Sequence, residues 1–262
     1  MSLLDHYSLK GKVALITGGA GRYGKNITRG VAEAGATTYI ASRNFEANRA
    51  YAEELTGEGY DVRAMQLDLS CEESMDALVG AIITEFGKID ILVNNAVIRC
   101  AMDGWQQSLK DYDKSLHINA SALFYLTNLV AEEMKKRKYG SIVNIGSMMG
   151  LVGIERSNYN GTPMHANPSP IYFYEKGGMA NFTRFAASML GEYNIRVNCI
   201  HPGGLYENSL NKTFVKNYSE RTQLGRMAEP DELNGAVVFL ASDAASYITG
   251  VNMPVDGGYT AK

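Results

Sequence analysis

The sequence is poor in the features that mark several functional classes. Its 262 residues include three cysteines, Cys71, Cys100 and Cys199, far apart and without a CxxC spacing. Neither a disulfide framework nor a thiolate metal site is expected from them. The four histidines, His6, His117, His165 and His201, show no ligand spacing of the HExxH kind, so no metal is expected either. No window approaches the roughly 18 apolar residues of a membrane span. The opening residues, Met1 to His6, lack the basic flank and apolar stretch of a secretory signal. These absences predict a cytoplasmic protein with no membrane partner. Charge of one sign is lacking too: 25 Lys and Arg stand against 28 Asp and Glu, for a formal net charge of -3. The basic residues are scattered, which leaves no electrostatic footprint for nucleic acid. A small-molecule partner remains.

What is present is an alternation of short β-rich runs with longer helix-forming stretches, and a chain of this length can bury one substantial core. Strands are expected at Val13–Thr17, Thr37–Ala41, Val62–Leu67, Ile89–Asn94, Ser141–Ile145, Arg196–Ile200 and Asn252–Val255. Several are apolar throughout, as strands buried on both faces must be. Helices are expected between them, among others at Tyr23–Ala34, Glu72–Phe86 and Pro230–Ala241. The pattern predicts one α/β domain over residues 1–262, a doubly wound, seven-stranded parallel sheet with helices on both faces. Residues 150–169, rich in Gly, Asn, Pro and Ser, form a loop longer than a connection in a compact domain needs.

The first strand runs into Thr17-Gly-Gly-Ala-Gly-Arg-Tyr-Gly24 and then a helix. In that context the glycines have separate tasks. Gly18 permits the tight turn, Gly21 lets the backbone approach a pyrophosphate, and Gly24 allows close helix-to-strand packing. The helix N-terminus supplies free N–H groups and the positive end of its dipole. Where the second strand ends, an NAD-selecting site usually places a carboxylate for the ribose 2′-hydroxyl. Here Ser42 and Arg43 stand there, and a guanidinium suits a 2′-phosphate. Arg22 is placed to reinforce it. The cofactor is read as NADP, with NAD as the alternative because Glu46 is close by.

Tyr172 and Lys176 are four apart on a helix whose start is signalled by Ser169 and Pro170. Residues so spaced share one helix face, about 6 Å apart at Cβ. A free phenol titrates near about 10, and a neighbouring ammonium favours the phenolate. Tyr172 is thereby suited to act as general acid in carbonyl reduction and general base in alcohol oxidation.

These segments fall in order with Asp68 after the third strand, Asn94-Asn95-Ala96 after the fourth, Asn119, Ser147 after the fifth, and Arg196-Val197-Asn198 leading to Pro202-Gly203. Gly225-Arg226-Met227 and Asp256-Gly257-Gly258 close the series. Over nearly its whole length the chain resembles the short form of the short-chain dehydrogenase/reductase family, with its single-domain Rossmann fold. The resemblance implies a catalytic set of Asn119, Ser147, Tyr172 and Lys176. Ser147 would hydrogen-bond the substrate oxygen, Lys176 would bind the nicotinamide ribose, and Asn119 would hold a water linking the lysine to solvent. It implies cofactor contacts from Gly18, Gly21, Arg22, Tyr23, Gly24, Ser42, Arg43, Asp68, Leu69, Asn95, Ala96, Tyr172, Lys176, Pro202, Gly203 and Leu205, with Asn94 also lining the cleft. A homo-oligomer, tetramer or dimer, is implied as well. A weaker likeness is to dehydrogenases of bacterial surface-sugar and flagellin-modification pathways.

Three departures from the family pattern carry information. Arg22 stands where the short form usually has glycine, so the loop is similar to that of the extended members, although the chain is too short for their extra substrate domain. Glu207 occupies the place of the usual carboxamide-contacting threonine, which Asn208 or Ser209 would have to replace. Ser147 and Tyr172 are 25 positions apart, more than is usual. The extra segment is therefore read as a substrate-specificity loop, whose Arg156, Tyr159, Asn160, His165 and Asn167 suit a polar substrate. Arg99 and Trp105 follow the fourth strand, where ligands bind in such sheets, while His117 and His201 are read as structural. The sequence thus predicts an NAD(P)-dependent oxidoreductase acting on a sugar derivative or polyol. The alternatives are a 3-oxoacyl thioester reductase and a non-catalytic nucleotide-binding scaffold.

Overall fold

The structure is a computed structural model that describes residues 2–99, 104–163 and 169–261. Seven strands, β1 (Val13–Thr17), β2 (Thr37–Ser42), β3 (Val62–Gln66), β4 (Ile91–Asn94), β5 (Gly140–Ile145), β6 (Ile195–Pro202) and β7 (Asn252–Val255), form one sheet in the order β3-β2-β1-β4-β5-β6-β7. All neighbouring pairs are parallel. The helices are α1 (Gly24–Glu33), α2 (Phe45–Gly57), α3 (Glu72–Phe86), α4 (Leu109–Leu116), α5 (Ala122–Arg137), α6 (Pro170–Leu190), α7 (Lys212–Ser219) and α8 (Asn234–Ala241). The expected doubly wound Rossmann fold is what the chain adopts. Among the described residues no helix is long and apolar enough to cross a membrane.

Alternation along the strands divides the core in two. On β1, Ala14 and Ile16 join Ile40, Val93 and Val143 against α1, α2 and α8, while Val13 and Leu15 join Tyr39, Leu92 and Ile142 against α3, α5 and α6. Successive side chains leave a strand on opposite faces, and every residue of β1 is buried, which is why these runs read as continuously apolar.

Boundaries differ from expectation where side chains intervene. The last long helix begins at Asn234 instead of Pro230. Before it, Glu232 accepts from the Glu229 N–H at 2.7 Å and is gripped by both terminal guanidinium nitrogens of Arg226, which holds residues 229–233 in turns. The sixth strand continues to Pro202 because its last residues pair with β7, Pro202 opposite Val255. A π-helical turn, His117–Ser121, joins α4 to α5 and was not foreseen. Such turns mark functional sites more often than chance.

Strand order reverses between β1 and β4, so the loops at their carboxyl ends diverge and open a crevice. At the opposite, amino edge the sheet is closed by Asp90, 1 % exposed, which accepts from Val13 N–H at 2.9 Å, Lys88 at 2.8 Å and Arg137 at 2.9 Å. Burial opposes its ionisation, but the bonds from Lys88, Val13 and Arg137 outweigh burial and hold the carboxyl below the ordinary carboxylate range. A carboxylate with a depressed folded-state value adds stability above its unfolded value, and that stability is lost as pH falls through the folded one. Asp90→Asn should therefore cost about 2 kcal/mol at neutral pH, chiefly by leaving a buried N–H poorly matched and two half-solvated cations unpaired. Urea unfolding should find the gap from wild type narrowing below about pH 4; a gap independent of pH would refute the assignment.

Candidate active site

At the end of β1 the Thr17 hydroxyl accepts from the N–H groups of Asn95 (3.1 Å) and Ala96 (3.0 Å), clasping the chain that leaves β4. The Asn95 amide completes the clasp by donating to Thr17 O and Gly18 O, both at 3.0 Å. Gly18 turns with φ +67°, and a Cβ on Gly24 would lie 2.0 Å from Gly18 O, so helix α1 can reach the strand only through glycine. Gly21 N–H donates to Gly18 O at 2.9 Å. The bend carries no side chain at Gly18, Gly19 and Gly21, which leaves its backbone bare, and the residues fit a dinucleotide.

The bend opens on a cleft of about 1040 Å³. Gly18, Gly21, Arg22, Tyr23, Ser42, Arg43, Asp68, Leu69, Asn95, Ala96, Ser147, Tyr172, Lys176, Pro202, Gly203 and Leu205 all line it. Of the expected set, Gly24 and Asn119 are not in its walls. Asn94 is also buried away from the cleft, its amide donating to Thr127 Oγ1 and Asn144 Oδ1 at 2.9 Å each. The expectation that Asn94 lines the cleft is corrected by this polar bond between strands, which spends the side chain.

At the end of β2, Ser42 Oγ accepts from the buried Asn48 amide at 2.9 Å, and the exposed Arg43 follows. Glu46 is bound instead to Arg49 on the outer face of α2. Asp68 accepts from Ser70 N–H (2.9 Å) and Ser70 Oγ (2.7 Å), bonds that lower its carboxyl from the usual range. Arg22 crosses the cleft mouth to the Glu207 carboxylate, and beside it Tyr23 donates its hydroxyl to Gly203 O at 2.7 Å. Arg22 is thus paired with Glu207, the departure from the threonine pattern, while Arg43 lines the cleft directly after β2.

The third group stands on β5 and α6. Ser147 follows β5, 8 % exposed, with its hydroxyl accepting from Met149 N–H at 3.1 Å. Helix α6 starts at Pro170 as expected, although the Ser169 hydroxyl bonds Gln107 Oε1 at 2.5 Å and does not cap the helix. One turn further on, Lys176 is 5 % exposed and donates to Ile145 O at 2.7 Å, its Nζ 5.9 Å from the centre of the Tyr172 ring. Burial pushes the lysine ammonium below its ordinary value. Arg99 is also near the ring, its guanidinium carbon 5.3 Å from the Tyr172 centroid. Asn119 sits in the π turn behind this wall. Its amide donates to Ile98 O (2.8 Å), Ser115 Oγ (3.2 Å) and Glu175 Oε2 (3.0 Å), and its oxygen accepts from Ile98 N–H (2.9 Å). The side chain is a brace, so any water contact would fall to its main chain.

Sequence reasoning missed Glu175, Ser115 and the far wall, where Met148, Tyr218, Met227 and Tyr259 form a small apolar cluster against Leu210 and Phe214. Within the long loop, Tyr159 lines the cleft and packs on Phe214 at 5.4 Å, while Arg156 and Asn160 are exposed and outside the wall. His165 and Asn167 lie outside the described residues. The loop is pinned: Asn217 donates to Asn158 O (3.2 Å) and Asn160 O (2.8 Å), and Asn158 donates to the Tyr259 hydroxyl at 2.7 Å. Arg99 lines the cleft, whereas Trp105 is 82 % exposed and does not. His201 is buried between Ser147 O and Asn252 Oδ1, 2.8 Å from each, and the exposed His117 is 3.5 Å from Ser70 O.

Comparison with known proteins agrees with this geometry. A family model described as enoyl-(acyl carrier protein) reductase matches residues 22–260. A cyclopentanol dehydrogenase of Comamonas testosteroni is 35% identical over 255 residues, 95% of this chain and 97% of the relative. A 3-oxoacyl-(acyl-carrier-protein) reductase FabG of Aquifex aeolicus is 34% identical over 255 residues, 95% and 98% of the two chains. The crystal structure of a gluconate 5-dehydrogenase from Burkholderia cenocepacia J2315 in complex with NADP and tartrate superposes with a TM-score of 0.88 at 30% identity, covering 100% of both chains. The chain belongs to the short-chain dehydrogenase/reductase family. It is an NAD(P)-dependent oxidoreductase acting on CH–OH groups and their carbonyl counterparts.

Proposed function

We propose that this enzyme uses NADP to interconvert an alcohol and a carbonyl on a sugar derivative or polyol, with Tyr172 exchanging the proton. The observation that carries the reading is the meeting of Ser147, Tyr172 and Lys176 in one cleft with the glycine bend, Lys176 being aimed by Ile145 O. The nicotinamide dinucleotide supplies hydride exchange with the carbon that bears the oxygen. Tyr172 gives a proton to that oxygen in reduction and takes it in oxidation, the Lys176 ammonium stabilising the phenolate form. Ser147 donates to the same oxygen as its charge develops, a preorganised donor in a largely buried setting. Lys176 and the Pro202–Gly203 backbone orient the nicotinamide half, and Asp68, Leu69, Asn95 and Ala96 flank the adenosine half. Asn119 serves by bracing the segment after β4 and the helix that carries the catalytic pair.

Preference for NADP is supported by the exposed Arg43 beside Ser42, with Glu46 turned away onto Arg49. A polar substrate is supported by Arg99 and Ser147 in the walls, and the loop of residues 150–169 acts on specificity through Tyr159. A less polar ring alcohol is the second reading, favoured by the far wall of Met148, Leu210, Phe214 and Met227. Absorbance screening with polyols, aldonates, cyclic alcohols and 3-oxoacyl thioesters separates these classes, and exclusive turnover of the thioesters would overturn the sugar or polyol reading. A cytoplasmic location is supported by the free thiols of Cys71 and Cys199; export of the native protein to an oxidising compartment would exclude it. Self-association as a dimer or tetramer is supported by exposed Phe124 on α5 and Phe185 and Met189 on α6; a monomer by light scattering would refute it.

Two substitutions test the assignment. Tyr172→Phe should lower kcat by about 10²- to 10⁴-fold with NADPH affinity kept, and unchanged turnover would reject the catalytic reading. Arg43→Ala should weaken NADPH binding about tenfold or more while NADH binding holds; equal losses for both cofactors, by fluorescence titration, would reject the 2′-phosphate role.

A further inference from the structure

Three successive residues at the end of β5 are each gripped by a different partner. Ile145 O accepts from Lys176 Nζ at 2.7 Å, and Gly146 N–H donates to Ile200 O at 2.7 Å. Ile145 and Ile200 are the last pair of the β5–β6 ladder. Beyond them β6 runs on beside β7, with His201 opposite Pro254, and Ser147 lies outside the ladder. Its grip comes from a side chain instead. The His201 ring brings Nδ1 to 2.8 Å from Ser147 O and 3.3 Å from Ser147 N.

The imidazole is fully buried and is held at its other nitrogen as well. Nε2 is 2.8 Å from Asn252 Oδ1 on β7, and the Asn252 amide nitrogen donates to Ala180 O on α6 at 3.1 Å. A polar chain thus runs through Ser147, His201, Asn252 and Ala180, from the serine to the helix that bears Tyr172 and Lys176. The ring also lies hard against the backbone it holds. A Cβ on Gly146 would come 2.7 Å from His201 Nδ1 and 2.8 Å from Cε1, so only glycine admits the ring there. An apolar side chain of similar volume would fill the same space but make neither polar contact.

We propose that His201 is the positioning residue of Ser147. It continues the β5–β6 ladder by one side-chain rung and fixes where the serine hydroxyl stands relative to Tyr172. The inference rests on the catalytic reading of Ser147. His201 is not among the residues that line the cleft, so it acts through the serine main chain. Its effect is one of geometry. A donor that stabilises a developing alkoxide must stand within hydrogen-bond distance of that oxygen, and a misplacement of about 1 Å costs on the order of 10²-fold in rate. Asp68, Leu69, Asn95 and Ala96, which flank the adenosine half in that reading, follow β3 and β4, so NADPH affinity is kept when the ring is changed.

Two variants separate the ring nitrogens, because the amide of asparagine falls near the place of Nδ1 and that of glutamine near the place of Nε2. His201→Asn can still reach Ser147, whereas His201→Gln can still reach Asn252 and fills more of the space. The assay uses the polyol, aldonate or cyclic alcohol that the wild type oxidises fastest. His201→Gln should lower kcat by on the order of 10- to 100-fold with NADPH affinity kept, and His201→Asn should recover most of that loss. In a Ser147→Ala background His201→Gln should cost no further kcat, since the hydroxyl it would misplace is gone. Equal kcat for the Gln and Asn variants, or the same further loss in the Ser147→Ala background, would overturn the proposal. Should the His201 variants not fold, Asn252→Ala releases the far end of the chain. Its kcat should fall with Ser147 present and not in the Ser147→Ala background, and equal effects in both would overturn the proposal. Full turnover by Ser147→Ala alone would sink the catalytic reading of the serine instead.

Discussion

The cleft depends on one small clasp between strands that part company. β1 and β4 are hydrogen-bonded neighbours through Ile16 and Val93, but their following loops run to opposite sides because the sheet order reverses there. Thr17 accepts two N–H groups from the β4 loop and Asn95 returns two bonds to the glycine bend. These four bonds fix how far the crevice opens. Had the threonine been apolar, the half-buried N–H groups of Asn95 and Ala96 would lack that acceptor, a cost that falls at the mouth of the crevice.

A second polar system sets the catalytic side chains against that crevice. Asn94 reaches Thr127 on α5 and Asn144 on β5, and Asn144 reaches Thr183 on α6 at 3.0 Å. Apolar packing can slide by fractions of an ångström, whereas a buried chain of matched donors and acceptors admits one arrangement. It ties the helix carrying Tyr172 and Lys176 to the strand that leads to Ser147. Asn119 and Glu175 extend the same logic to the segment after β4.

Electrostatically the cleft is divided. At the mouth, Arg22 and Glu207 cancel each other and, with Tyr23 on Gly203, link the glycine bend to the chain after β6. Near the second strand Arg43 stands exposed. Around the Tyr172 ring, Lys176 and Arg99 give a positive setting. On the proposed assignment a developing alkoxide would meet these cations and the Ser147 donor in a partly buried wall, where charge interactions are stronger than in water.

Much of this was legible in the sequence because it is local. The alternation of apolar residues gave all seven strands within a few residues, the glycine spacing placed the dinucleotide bend, and the four-residue spacing of Tyr172 and Lys176 put them on one face of α6. The start of α8 and the π turn at His117–Ser121 were missed because side-chain bonds and backbone slippage, not periodicity, decide them. The partners of the cleft residues were beyond local reading. Arg22 and Glu207 are 185 positions apart, Asn119 and Glu175 56 apart, and no pattern within a segment says which cation meets which carboxylate. The sequence by itself determined the sheet, its bend and the catalytic helix, since hydrophobic period and turn chemistry act between near neighbours. Only the tertiary structure decided that Arg22 is occupied and Arg43 exposed, that Asn95 serves the loop, and that Glu175 lies buried beside Lys176, because those outcomes depend on which distant side chains the folded sheet brings into contact.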